Sequence, residues 1–286
     1  MITKESQRDL GELPGAERAR ADKHLLDENW STIMKSSHSL AMILAGVCAA
    51  SDADAARLAS PSYFYPDCLY NVECLWHQLD ASAPNVGLAI INPDSGPGVS
   101  QLLDYVLQRL TSRAVGISLV GYVPTQYGAR SAAEVKADID KYFSWYDVDG
   151  IFLDEVPSDD CGAQAYYADL NSYIKSRGRA AALTVLNPGM ATRECFMSTG
   201  DIVVTFEGSY TEYVTWSTAG WESRYPASRF WHIVHSAPTE ADMLDAMSLS
   251  KRRHAGWIYI TPDTLPEPYD TLPTGSYWTR ELGAAP

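Results

Sequence analysis

The chain is short of positive charge. Its 286 residues carry 22 Lys and Arg against 36 Asp and Glu, a formal net charge of −14. Nucleic acid and anionic membrane surfaces select for basic patches, so this balance argues against both as partners. It suits a neutral or cationic ligand. There are only 6 His and 5 Cys, and no Cys/His spacing resembles a zinc site, so neither a metal nor a cofactor is expected. Internal repeats, low-complexity tracts and an interdomain linker are all missing. No apolar run is long enough to span a bilayer; the run Leu40-Ala41-Met42-Ile43-Leu44-Ala45-Gly46-Val47 falls short.

That run belongs to a layered N-terminus. Residues 1–33 are polar and charged, and are expected to be disordered or absent from the mature protein. Residues 34–55 join a short basic region, the apolar run and a set of small residues, the order of a secretory signal peptide beginning at Met34. The expectation is a secreted or cell-surface protein, free of the membrane once the signal is removed. A short helix docked on the domain is the alternative. The sequon Asn29-Trp30-Ser31 and Cys48 both fall in this leader. The other cysteines, Cys68, Cys74, Cys161 and Cys195, permit two disulfides in three pairings. Cys161 and Cys195 follow adjacent predicted strands, which favours Cys161–Cys195 with Cys68–Cys74; free buried thiols are the alternative.

Aromatic residues are plentiful, with 17 Tyr and 8 Trp. Such rings serve as stacking platforms for sugars, and equally pack with a polar tip exposed. Residues 57–286 read as one domain, expected to be monomeric. Strands are predicted near 60–65, 86–92, 116–123, 149–154, 181–187, 201–206, 229–235 and 255–260. Several are continuous apolar runs, such as Val86-Gly87-Leu88-Ala89-Ile90-Ile91, as in strands covered on both faces. Helical spacing separates them: Leu102, Leu103, Val106, Leu107 and Leu110, then Val135, Ile139, Tyr142, Phe143 and Tyr146, then Met243, Leu244, Met247 and Leu249. Eight strand–helix alternations predict an α/β fold, a single-domain (β/α)₈ TIM barrel.

Acidic residues close two of the strands: Asp154-Glu155 after Gly150-Ile151-Phe152-Leu153, and Glu207 after Ile202-Val203-Val204-Thr205-Phe206. A buried unpaired carboxylate costs several kcal/mol, so acids at the mouth of a barrel point to chemistry. Glycoside hydrolysis needs such a set. Alternation along a regular strand lets only one of Asp154 and Glu155 face the interior unless the chain turns there. Asn92 and Asn187, each followed by Pro, end the second and fifth strands, where an amide can bond a sugar hydroxyl or orient a carboxylate. Tyr122, Tyr127 and Arg130 follow the third strand and Tyr210 follows Glu207; all are candidate substrate contacts. His232 and Trp257 join them from the seventh and eighth strands, with core packing as the default for both.

In order, these motifs resemble the spherulin-4-like glycoside hydrolases. The matching residues are Tyr-x-Tyr-Pro at 63–66, Asn-Pro-x-Ser-Gly-Pro-Gly at 92–98 and Gly-Tyr-Val-x-Thr-x-Tyr-Gly-x-Arg at 121–130. Trp-Tyr-x-Val-Asp-Gly-Ile-Phe-Leu-Asp-Glu at 145–155, Asn-Pro-Gly at 187–189 and Phe-Glu at 206–207 complete the set. The resemblance implies a secreted or surface (β/α)₈ enzyme acting on α-1,4-linked N-acetylgalactosamine in galactosaminogalactan, a biofilm polysaccharide. It maps the catalytic acids onto Asp154, Glu155 and Glu207, and adds Tyr65 to the substrate-binding set. Competing readings are a non-catalytic carbohydrate-binding or cell-surface structural protein on a barrel scaffold, and a metal-dependent lyase or hydrolase.

Overall fold

The computed structural model describes residues 57–177 and 181–285. The leader features at 1–33 and 34–55 lie outside the described residues. Eight parallel strands close in sequence order: β1 (Arg57–Ser60), β2 (Val86–Ile91), β3 (Ser118–Pro124), β4 (Gly150–Asp154), β5 (Leu183–Leu186), β6 (Ile202–Ser209), β7 (Phe230–His235) and β8 (Trp257–Ile260), with β8 pairing back onto β1. The barrel predicted from alternation is the fold observed.

Helices cover most of the crossovers: α1 (Leu75–Asp80), α2 (Leu103–Val115), α3 (Ala132–Lys141), α4 (Gln164–Arg177), α5 (Tyr210–Thr215), α6 (Glu240–Arg252) and α7 (Gly275–Ala284). Their starts are chemically marked. Ser131, Ser209 and Thr239 open α3, α5 and α6 with reciprocal capping boxes to Glu134, Glu212 and Asp242. The β5–β6 crossover departs from the simple alternation: among the described residues it carries a 3₁₀ turn, Glu194–Ser198, in place of an α-helix.

Two sequence expectations need correction. The first strand ends at Ser60, where Pro61 withdraws a backbone donor, so residues 61–67 are loop at the mouth and not strand. In α2 the leucines do not form the buried face. Leu103 and Leu110 are 64% and 59% exposed, while Tyr105, Gln108, Arg109 and Ser112 are buried. The inward face is polar and is answered by the end of α1 and the loop before β4, with only Arg109 Nη1 left without a hydrogen bond among the described residues. Arg109 pairs with Asp149 at 2.7 Å and donates to the Asp147 carbonyl at 2.8 Å, and Gln108 and Ser112 donate to Asp80 at 2.9 and 2.7 Å. Helical spacing reports a stripe without saying which stripe the loops can satisfy.

The barrel interior is identified by a ring contact between strands that are not neighbours. Phe152 of β4 meets Trp231 of β7 with centroids 5.8 Å apart, and Tyr122 of β3 stacks on Phe152 at 6.2 Å. Outside, Tyr142 packs so closely on β3 that a Cβ at Gly121 would lie 2.4 Å from its ring, so only glycine fits there.

Candidate active site

Phe152 points into the barrel, so two residues on Asp154 points the same way, at the carboxyl end of β4. Glu207 arrives by a different route. The β6–β7 register is irregular between Val204 and Phe206. Thr205 bonds His232 at 3.1 Å, while Phe206 packs on Tyr213 of α5 at 4.6 Å, so two consecutive side chains face the helix layer. Glu207 then turns inward. The irregularity re-aims the acid, a common use of such features beside active sites, and it separates Glu207 from the face of Thr205.

The two acids meet through one amide. Asn187, immediately after β5, donates from Nδ2 to Asp154 Oδ1 at 2.9 Å and to Glu207 Oε2 at 2.8 Å. Its own Oδ1 accepts from Gly189 N at 2.9 Å, which fixes the amide's orientation. The remaining carboxylate oxygens are also held: Tyr122 donates to Asp154 Oδ2 at 2.6 Å and Tyr269 to Glu207 Oε1 at 2.9 Å. Burial lifts the Asp154 carboxyl above the usual carboxylate range, against hydrogen bonds that pull it down and with the nearby Glu155 charge adding to the rise. Burial likewise lifts Glu207, and the charge of Asp154 raises it further.

Glu155 is not the third member of this pair. It takes a left-handed backbone, φ 56°, which turns the chain at the strand end. Its Oε2 accepts from Gln126 N at 2.9 Å and its carbonyl from Tyr127 N at 2.7 Å. Gln126 and Tyr127 are left-handed too, so Glu155 clasps the strained loop that follows β3.

The other sequence candidates divide clearly. Asn92 lines a cavity of about 560 Å³ together with Tyr63, Tyr122, Glu207, His235 and Tyr269. Tyr65 is not brought in; it bonds Asp104 at 2.7 Å at the surface, and Tyr63 takes the mouth position instead. Tyr127 is 66% exposed. Arg130 pairs with Asp138 and donates to the Pro124 carbonyl, a structural clamp at the start of α3. Tyr210 bonds Asp245 on α6. His232 alternates with inward-facing Trp231 and so faces the helix layer, bonded to Tyr213 at 2.7 Å; burial lowers its pKa to about 3 and it stays neutral. Trp257 is the first residue of β8, at the end of the barrel opposite the mouth, and donates to the Ser228 carbonyl.

Two residues at the site carried weak sequence signals. His235 shares the inward face of β7 with Trp231, a period of two that could have singled it out over His232. Its Nδ1 meets Ser236 Oγ at 2.9 Å, and the residue lines the cavity. Tyr269 comes from the proline-rich segment after β8, which carries no periodicity to place it.

With this geometry established, similarity to known proteins can be stated. The profile of Spherulation-specific family 4 matches residues 57–285. Spherulin-4 of Physarum polycephalum is 34% identical over an alignment covering 74% of this chain; the chain spans 65% of that protein's length. Among solved structures, Aspergillus clavatus Sph3 in complex with GalNAc superposes with a TM-score of 0.69 at 26% identity, covering 81% of this chain and 98% of that one. A chitinase from Bacteroides thetaiotaomicron, at 8% identity and a TM-score of 0.51 over 80% of this chain and 96% of its own, shares the barrel fold.

Proposed function

The chain belongs to the spherulin-4 family, and from that premise we propose that it is a glycoside hydrolase. Its substrate in this reading is a microbial exopolysaccharide containing α-1,4-linked N-acetylgalactosamine, cleaved within the chain. The observation that carries the reading is the single Asn187 amide joining Asp154 and Glu207 at the barrel mouth. Paired carboxyls flanking the scissile bond are the working parts of most glycosidases. The GalNAc bound to Sph3 supports the choice of sugar. A secreted or cell-surface location forms part of the proposal and rests on the leader pattern at 34–55.

The roles follow from the surroundings. Glu207 borders the cavity, and burial beside a like charge holds its proton to higher pH. It donates that proton to the glycosidic oxygen as the bond to the anomeric carbon breaks. Asp154, held by Tyr122 and Asn187, acts as the carboxylate that steadies the positive charge developing on the sugar, or orients the substrate's own acetamido oxygen for attack. Water then adds at the anomeric carbon and returns its proton to Glu207. Both hydrogen bonds share one nitrogen, so the nearest oxygens of the two acids lie closer than 2.9 and 2.8 Å laid end to end. That supports the close spacing of retaining enzymes, about 5–5.5 Å, over the 6.5–9.5 Å of inverting ones.

Purified protein incubated with galactosaminogalactan is expected to release oligosaccharides with retained anomeric configuration, read by mass spectrometry and NMR. Glu207→Gln is expected to lose at least about a thousandfold in kcat. Full activity in that variant, or glycan binding with no reducing ends released by the unaltered protein, would favour the non-catalytic binder.

A further inference from the structure

The cavity beside Glu207 does not end there. A second cavity of about 480 Å³ shares Glu207 with the first, and is bounded by Met190, Phe206 and Trp216. A third, of about 670 Å³, shares Met190 and Ala191 with the second and reaches Trp221 and the Cys161–Cys195 disulfide. Shared lining residues set the three side by side, from the mouth out over the β5–β6 crossover, where a 3₁₀ turn stands in place of a helix, and we read them as one trough.

The two walls of the far end differ in character. On one side the segment after β5 presents Met190, 57% exposed. On the other, the loop after α5 presents Trp216 to the second cavity and Trp221 to the third. Trp216 stacks on Tyr213, 16° from parallel, with the Arg253 guanidinium 5.4 Å from its ring. Trp221 stands edge-on to Phe230 at 5.8 Å and to Tyr225 at 6.2 Å. The loop is fastened from below: buried Glu222 accepts from Ala219 N at 3.0 Å. The floor is tied as well. The disulfide joins the loop after β4 to the 3₁₀ turn, Arg193 donates to the Asp159 carbonyl at 2.9 Å, and Tyr225 donates to Glu194 at 2.9 Å. Half-buried indoles on a braced loop lose little freedom when a pyranose lies against them.

We propose that Trp216, Trp221 and Met190 line outlying subsites that bind sugar residues of the same polysaccharide several units away from the scissile bond. This inference rests on the glycoside hydrolase reading. It makes the protein selective for long chains, because a short oligomer that spans only the Glu207 cavity forgoes the contacts at the far end of the trough.

The test compares kcat/KM on defined α-1,4-linked N-acetylgalactosamine oligomers of increasing length, for the unaltered protein and for Trp221→Ala, Trp221→Phe and Met190→Asp. The unaltered protein is expected to gain kcat/KM with length until the trough is filled. Trp221→Ala is expected to lower the long-to-short ratio of kcat/KM by roughly five- to tenfold, the scale of one aromatic stacking contact, and Trp221→Phe to recover most of it. Met190→Asp, at an exposed position with no packing role, is expected to lower the same ratio and to change the lengths of the products. An unchanged ratio in both Trp221→Ala and Met190→Asp overturns the subsites while leaving the hydrolase reading intact, and so does a parallel fall at every length. Failure of the unaltered protein to cleave any of these oligomers overturns the hydrolase reading and the subsites with it.

Discussion

Glu207 is held in an environment that disfavours its charge. Its carboxyl is lifted by burial first and by Asp154 second. For an acid raised in the folded state, the native protein keeps a proton that the unfolded chain has lost. Stability therefore falls as pH rises from the ordinary value of 4.5 through the raised one, and stays lower above it. Glu207→Gln removes that titration. It is expected to melt about 2–4 °C above the unaltered protein at pH 7, with the gap closing toward pH 4.5, as thermal scans across that range would read. A gap independent of pH would mean that packing, not charge, sets the difference. Sequence reasoning found both acids because a carboxylate ending an apolar run has few explanations. It did not find Tyr269, which donates to Glu207 from 62 residues further along a segment without periodicity.

At the level of elements, strands read more reliably than faces. Seven of the strands were legible as apolar runs, and the first was displaced because an aromatic loop, Tyr63-Phe64-Tyr65, mimics a strand after Pro61 has ended it. Helix α2 was legible as a helix but not in its orientation, since its buried stripe is Gln108, Arg109 and Ser112 answered by Asp80 at the end of α1 and by Asp149. Its stability should follow the polar stripe. Arg109→Met is expected to destabilise by about 3 kcal/mol in denaturant titration, because it removes the buried guanidinium that pairs with Asp149 at 2.7 Å. Leu110→Lys, on the exposed stripe, is expected to change stability by less than about 0.5 kcal/mol. The reverse ranking would restore the leucine face as the buried one.

Across the whole molecule, Cys161 bonds Cys195 as the adjacency of their strands suggested, and the remaining pair, Cys68 and Cys74, bond each other. The second spans 34 residues, from the end of β4 past β5. By loop-closure entropy it is worth about 3–4 kcal/mol. The double variant Cys161→Ser/Cys195→Ser is expected to lose about that much, measured by denaturant midpoint, whereas opening the six-residue Cys68–Cys74 link should cost less. Among the described residues no helix is long and apolar enough to cross a membrane.

The Asn187 bridge also bears on how the protein ages. An asparagine deamidates when the next residue's backbone nitrogen attacks its side chain, and that route needs an N–H. Asn187 is followed by Pro188, which has none, so the path is closed by covalent structure. Conversion to aspartate would place a third carboxylate between two buried acids and abolish the donor they share. Peptide mapping after prolonged warm incubation at mildly alkaline pH should find Asn187 intact, and Pro188→Gly should let activity decay as Asn187 converts. The proline after the strand end thus acts as a chemical preservative for the one amide on which the pair depends.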